Sequence, residues 1–276
     1  MDMEKIRLSA FADEAGEDFD LQLNALVRNG IKGLEIRSVE QKNVGVLPLE
    51  KAKELKKRMD DAGVVCPSVG SPIGKIALER AGEHREMLRH IADIAHILGA
   101  DKVRMFSFFM SPFETDEKEE RVMEELRALQ QIAEEHSLML CHENEKGIFG
   151  YNAENCLKIM RQVPGMRAVF DPANFVQCGV NTLFAWEMLR GHVEYMHAKD
   201  AKYDGKVVPC GAGVGMAAHI LREYRAQGGE LITLEPHLFS FKALAMLEKN
   251  PEKRMDYPTA DVAFDTAACA LKAILA

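Results

Sequence analysis

No stretch of this sequence holds the eighteen or so consecutive apolar residues that a bilayer-spanning helix needs. Positive charge is also in short supply: 35 Lys and Arg stand against 43 Asp and Glu, a formal net charge of −8. Nothing therefore draws the chain as a whole toward nucleic acid or an anionic membrane. The six cysteines, at 66, 141, 156, 178, 210 and 269, include no CxxC pair and no zinc-knuckle spacing, and several lie inside apolar runs. Free, mostly buried thiols are the expectation, not a disulfide framework. The opening residues MDMEKIRLSAF carry charges where a secretory signal needs an apolar core, so a cytoplasmic protein is expected. A Pro/Gly/Ser-rich linker, a low-complexity segment and a shift in composition are all missing, which points to one domain.

What is present is an ordinary globular balance, 47% apolar and 28% charged over 276 residues, long enough to bury a sizeable core without staples. Short apolar runs alternate with longer amphipathic ones. IRLSAFA leads into FDLQLNALVRNG, and GLEIRSV into LPLEKAKELKKRMDDAG, where Pro48 suits a first helical turn and Gly63 a stop. VVCPSVG precedes a helix ending LRHIADIAHILGA, and KVRMFSFF precedes the acidic start ETDEKEE, a bias that complements the helix dipole. The second half repeats the pattern: LMLCHENE, MRAVFDPAN, VEYMHAKD and ELITLEPHL each precede a helical run, the last being DVAFDTAACALKAILA. Eight strand–helix pairs at this length predict a single-domain (β/α)8 TIM barrel over residues 1–276. Residues 239–260 are too long for an ordinary connection and are read as an insertion between strand eight and the last helix. Apolar surface around that insertion makes a homo-oligomer, dimer or tetramer, an expectation.

Strands of a parallel barrel are covered on both sides and should be apolar. Four of them end otherwise: LMLCHE in Glu143, AVFD in Asp171, VEYMH in His197 and LITLE in Glu235. All four fall at the C-terminal ends of strands five to eight, where barrel active sites are built. Side chains alternate along a strand, so an inward Glu143 takes Cys141 and Met139 with it and turns His142 toward the helices. Val169 shares the face of Asp171, Tyr195 that of His197, and Thr233 that of Glu235. Three carboxylates and one imidazole then converge. Like charges at short range raise one another's pKa, and the remedies are protonation or a divalent cation. This hard donor set suits one Mn²⁺ ion best, with Mg²⁺, Co²⁺ or Zn²⁺ as alternatives.

At these residues, in the contexts HEN, FDPAN, HAKD and LEPH, the sequence resembles the xylose-isomerase-like TIM barrels, the sugar phosphate isomerase/epimerase superfamily. The resemblance covers nearly the whole chain and is strongest from Leu138 to Leu238. It implies that Glu143, Asp171, His197 and Glu235 hold one divalent metal, which polarises a substrate carbonyl and acidifies the neighbouring C–H. It further implies that Glu143 and Glu235 exchange protons with that carbon from opposite faces. Lys199, two residues past His197, is a candidate donor to a substrate oxygen. Arg37 and Glu35 near the end of strand two, and His237, are further candidates at the mouth, although His237 is expected as an exposed loop residue. Arg104, inside strand four, is expected in a structural ion pair. The glycines of PCGAGVGMAA are read as a loop beside the substrate and not as a dinucleotide fingerprint. Many members of the superfamily carry a histidine three residues after the strand-six aspartate. This chain has Asn174, which can bind a hydroxyl but cannot shuttle a proton.

The expected function is a metal-dependent isomerase or epimerase of a keto-sugar or related polyol. A dehydratase or lyase acting on an inosose or a 3-keto-glycoside shares the first step and is the alternative. A DNA repair enzyme of the endonuclease-IV type needs extra histidines, and PSVGS and RMFSFF at the ends of strands three and four have none. A non-catalytic sugar-binding barrel is disfavoured by retention of all four ligands. The expected partner is a small carbohydrate, without nucleic acid or membrane.

Overall fold

The apolar runs become eight parallel strands, each hydrogen-bonded to two neighbours. The computed structural model describes residues 7–111, 115–239 and 257–276. The strands are β1 (Arg7–Ala10), β2 (Gly33–Ile36), β3 (Val65–Gly70), β4 (Lys102–Met105), β5 (Met139–Glu143), β6 (Arg167–Phe170), β7 (Val193–Ala198) and β8 (Leu231–Leu234). They form a closed barrel in sequential order. β1 makes the seam, with Arg7 opposite Leu231 on β8 and Ser9 opposite Gly33 on β2. The single-domain barrel read from the alternation is the observed fold. Residues 240–256, most of the expected insertion, lie outside the described residues.

Helices cover the barrel: α1 (Phe19–Arg28), α2 (Leu49–Asp61), α3 (Ala81–Leu98), α4 (Asp116–Glu135), α5 (Ala153–Gln162), α6 (Pro172–Gln177), α7 (Thr182–Leu189), α8 (Ala217–Ala226) and α9 (Ala260–Leu275). Their ends follow local chemistry. Asp18, Asn152, Asn181 and Thr259 cap first turns by accepting backbone N–H bonds, and Gly99 ends α3 at φ 77°. The short α6 is not among the helical runs expected from sequence. Its cause is local: the Asp171 carboxylate accepts from the Asn174 N–H and Pro172 occupies the first turn. No helix among the described residues is long and apolar enough to cross a membrane.

The main core lies between strands and helices. Inside the barrel a smaller cluster of Cys141, Val169, Tyr195 and Leu231, with Met139 packed against it, forms a floor. Alternation along β5 to β7 had placed Cys141, Met139, Val169 and Tyr195 on this inner face, and they line it. His142 faces outward, its Nε2 2.9 Å from Ser107 Oγ. Burial drives its pKa down to about 3, so it packs as a neutral ring.

Candidate metal centre

Glu143 is the last residue of β5, Asp171 follows β6, His197 lies in β7 and Glu235 follows β8. One ligand atom from each falls within 4.8 Å of all the others, and all four residues are buried. His197 Nδ1 stands 3.1 Å from Glu143 Oε1 and 3.2 Å from Glu235 Oε2. Asp171 is held at its backbone: its N–H donates to Asn144 Oδ1 and its carbonyl accepts from Asn144 Nδ2, each at 2.9 Å. One carboxylate oxygen caps α6, which leaves Oδ2 facing Lys199 Nζ at 2.9 Å. Asn174, at the position where a histidine was noted as missing, donates from Nδ2 to Glu143 Oε1 at 3.1 Å and to the Asn144 carbonyl at 2.9 Å. It acts here as a strut for a candidate ligand.

The cluster is crowded with negative charge, and its titration shows it. Burial raises Asp171, Lys199 opposes that, and Glu235 and Glu143 push it up again, to about 7. Burial also disfavours a charged His197, yet the Glu143 and Glu35 carboxylates outweigh it and keep the imidazole protonated. Glu235 is buried too, but Lys199, at 2.6 Å, and His237 hold it well below the usual carboxylate range. The Lys199 ammonium is itself raised, because Asp171 and Glu235 overcome its desolvation. Two protonated side chains, His197 and Lys199, stand among the three carboxylates, and Arg37 and Arg104 meet Glu235 and Glu143 from outside. Oδ2 of Asp171 faces the cluster with the Lys199 ammonium as its ion-pair partner, and the ligand atoms gathered here are hard oxygens with one imidazole nitrogen. Such a set fits a divalent cation, with displacement of protons on binding.

A second ring of residues supports the first. Glu35 lies beneath His197, its Oε2 3.4 Å from Nε2, and Tyr195 and Ser68 donate to its Oε1 at 2.8 and 3.3 Å. Glu35, a candidate substrate contact by sequence, is buried at the barrel floor and faces the imidazole instead. Arg104 forms the expected ion pair, Nε 3.2 Å from Glu143 Oε2, with Nη1 donating to the Ser71 carbonyl at 2.8 Å. Arg37 reaches Glu235 Oε1 at 3.2 Å and is gripped by Asp13 and Glu14 at 2.9 and 3.1 Å. Asp13 and Glu14 were not singled out from sequence, where two acids after a strand look like an ordinary solvated loop. Burial lifts Glu14 to about 8 against the pull of Arg37.

His237 differs from expectation. It is buried, not exposed, because its backbone takes a left-handed turn at φ 46° and its N–H donates to the Glu14 carboxylate. That turn brings Nε2 to 3.2 Å from Glu235 Oε1. Burial and Lys199 push its pKa down to about 3, so the ring is neutral.

The glycine-rich loop also reads differently in three dimensions. The N–H groups of Gly211, Gly213 and Gly215 donate to the Asp200 carboxylate at 3.2, 3.2 and 2.8 Å. The loop is a cradle for a side chain of this chain, one residue past Lys199. A Cβ at Gly213 would meet the Ala201 carbonyl oxygen and Asp200 Oδ1, both at 2.4 Å. Gly213→Ala is therefore expected to destabilise by about 2 kcal/mol, since backbone must move to admit the methyl group. Thermal unfolding followed by circular dichroism measures this, and an unchanged midpoint would contradict the cradle.

The chain matches the family model described as xylose isomerase-like TIM barrel over residues 23–251. No curated protein matches it. Among solved structures it is similar to the probable 3-DHS dehydratase AsbF of Bacillus anthracis, at 15% identity and TM-score 0.74, covering 97% of this chain and 98% of that one. It is similar to the 3-keto-D-glucoside 4-epimerase YcjR of E. coli, at 16% identity and TM-score 0.71, covering 98% and 100%. It is also similar to the IOLI protein with a binding zinc atom, at 14% identity and TM-score 0.73, covering 98% of each chain. At such identities these likenesses carry the fold alone.

Proposed function

The chain belongs to the xylose isomerase-like TIM barrel family, and from that premise we propose that it is a divalent-metal-dependent isomerase or epimerase of a keto-sugar or related polyol. The observation that carries this reading is the buried convergence of Glu143, Asp171, His197 and Glu235 within 4.8 Å at the catalytic end of the barrel. Mn²⁺ is the ion we assign to these four residues. When bound it would polarise the substrate carbonyl and lower the pKa of the adjacent C–H.

The side chains do the rest. Glu235, held ionised by its cationic neighbours, takes the proton from the carbon beside the carbonyl, and the electron pair passes to the carbonyl oxygen as an enediolate. Glu143, braced by Arg104 and Asn174, enters this step in its acid form and gives its proton from the other side. That inverts the centre and leaves Glu235 protonated and Glu143 ionised, the starting state for the reverse direction. Return to the neighbouring carbon instead gives the isomer. Lys199 donates to a substrate oxygen, while Asn174, Arg37 and His237 fix the carboxylates and the substrate hydroxyls around them.

One observation favours the lyase alternative on an inosose or 3-keto-glycoside. The two glutamates are unequally provisioned: the Lys199 ammonium lies 2.6 Å from Glu235, whereas Glu143 is met by the Arg104 guanidinium at 3.2 Å and the His197 imidazole at 3.1 Å. A leaving group expelled from the β-carbon could take its proton from Lys199, as the likeness to a probable dehydratase would suggest.

The test is metal content of the purified protein and solvent-deuterium uptake into 3-keto-glycosides and ketoses with added Mn²⁺. About one ion per chain, weakened in Glu143→Gln, with deuterium entering beside the carbonyl and no group lost, is the expected result. Loss of water or an aglycone would move the assignment to the lyase. No ion bound and no exchange would defeat both.

A further inference from the structure

The mouth of the barrel has two unlike halves. β5 to β8 supply the charged cluster, whereas the segments after β2, β3 and β4 enclose a cavity of about 280 Å³. Arg37, Val46, Lys75, His84, Met87 and Phe109 line it. Arg37 joins the halves, since it borders the cavity and its Nη1 reaches Glu235 Oε1 at 3.2 Å. Val46 and Phe109 are 64% and 38% exposed, large apolar side chains left facing this opening.

The walls are built, not draped. Asn43 Oδ1 accepts from the Gly45 N–H at 2.9 Å and fixes the turn that carries Val46. Gly45 lets the Met87 thioether close in, for a Cβ there would lie 2.7 Å from its sulfur. Phe109 is tied on both sides, bridging Ala77 in parallel and Ile148 in antiparallel fashion. Polar groups at the edge have fixed roles. Lys75 pairs with Glu145 at 2.9 Å, and His84 Nδ1 accepts from the Gly74 N–H at 2.8 Å. The His84 proton is therefore on Nε2, and burial keeps the ring neutral with a pKa of about 4. Ser38, Gln41 and Asn43 border the cavity as well, so it has an apolar side, made by Val46, Pro72, Met87 and Phe109, and a polar rim. Arg37 and Lys75 are already held by carboxylates, which disfavours a phosphate, while the apolar side suits a ring face. A cavity of about 150 Å³ already admits benzene, so this one has room for a six-membered ring and its link.

We infer that this cavity is a subsite for an apolar, ring-bearing substituent of the substrate, such as the aglycone of a glycoside whose sugar reacts at the β5–β8 side. The inference rests on the sugar-directed reading of the site and narrows it to substrates with an apolar ring at one end. Phenyl β-D-glucoside should bind the Mn²⁺-supplemented protein about tenfold more tightly than methyl β-D-glucoside, as expected for burying one ring face. Isothermal titration of both compounds measures the ratio. Val46→Asp, at an exposed position that the fold does not need, should bring the ratio close to one by weakening the phenyl compound alone. Val46→Leu should keep it. Equal affinities in the parent protein, absence of phenyl glucoside binding at millimolar concentration, or a ratio that survives Val46→Asp would each overturn the subsite. Deuterium uptake separates the two claims. Discrimination without exchange sinks the catalytic reading and leaves the subsite, and exchange without discrimination does the reverse.

Discussion

Glu235→Gln should lose turnover by about a thousandfold, the scale of a removed general base, and should also unfold more easily without metal. Four groups converge on this carboxylate: Lys199 at 2.6 Å, and Arg37, His197 and His237 at 3.2 Å. Its native pKa lies well below its unfolded value. The charged form thus contributes stability that is present above the unfolded value near 4.5 and is lost as pH falls through the native one. A neutral isostere forfeits that contribution at pH 7, about 3 kcal/mol on the scale of a broken buried pair.

Asp171→Asn, in the same cluster, should behave oppositely. The native pKa of Asp171 is raised to about 7, so its charge destabilises the metal-free protein, fully so above pH 7. That penalty fades as pH falls toward the ordinary value. The amide should therefore cost less than about 1 kcal/mol at pH 7, or stabilise, while still weakening metal binding. Urea unfolding of both variants in the presence of a chelator decides the matter. Equal losses would mean that the charges around Glu235 and Asp171 are not arranged as described.

The second large effect is expected at Glu35, which touches none of the other three candidate ligands in the described contacts. Its carboxylate meets the far nitrogen of His197 at 3.4 Å and is steadied by Tyr195 and Ser68. Burial would raise its pKa, but the His197 charge reverses that and lowers it. A carboxylate behind a ligating imidazole fixes ring orientation and raises its basicity, and losing one costs about 10–100-fold in metal affinity. Glu35→Ala should show that loss for Mn²⁺, with kcat at saturating metal much less affected. Glu35→Gln, which keeps the shape, should recover part of it. Chelator competition gives the affinities. Unchanged affinity in Glu35→Ala would remove the positioning role.

The β5–β8 half of the mouth was legible because a strand's period of two is strict. A charged residue at the end of an apolar run stands out, and its neighbours' parity says which way it points. Glu143 and His197 are of this kind. The β1–β2 half was not legible. Asp13 and Glu14 follow β1 in a short 3-10 turn with no periodic signal, and only the closed barrel brings them to Arg37. Glu35 was noticed as a charge in a strand, but sequence cannot say which group on a distant strand it meets. His237 was misplaced because one left-handed residue reverses the direction a loop side chain takes. The glycines after β7 signalled a close approach correctly, and the approaching group is Asp200 instead of a ligand.

Closure of the barrel has a kinetic consequence. Arg28 of α1 grips Asp265 of α9 across 237 residues of chain, and Arg37 meets Glu235 across 198. Contacts of such separation bear the largest loop-closure entropy and belong among the last to form. The strands bearing Glu143, Asp171 and His197 can pair locally, but the cationic support of Glu235 from Arg37 exists only once β8 has docked on β1. Tight metal capture during refolding should accordingly lag behind helix formation and coincide with the joining of the two ends. The ion would then act as a reporter of completed topology, trapping the finished barrel while having little hold on its precursors.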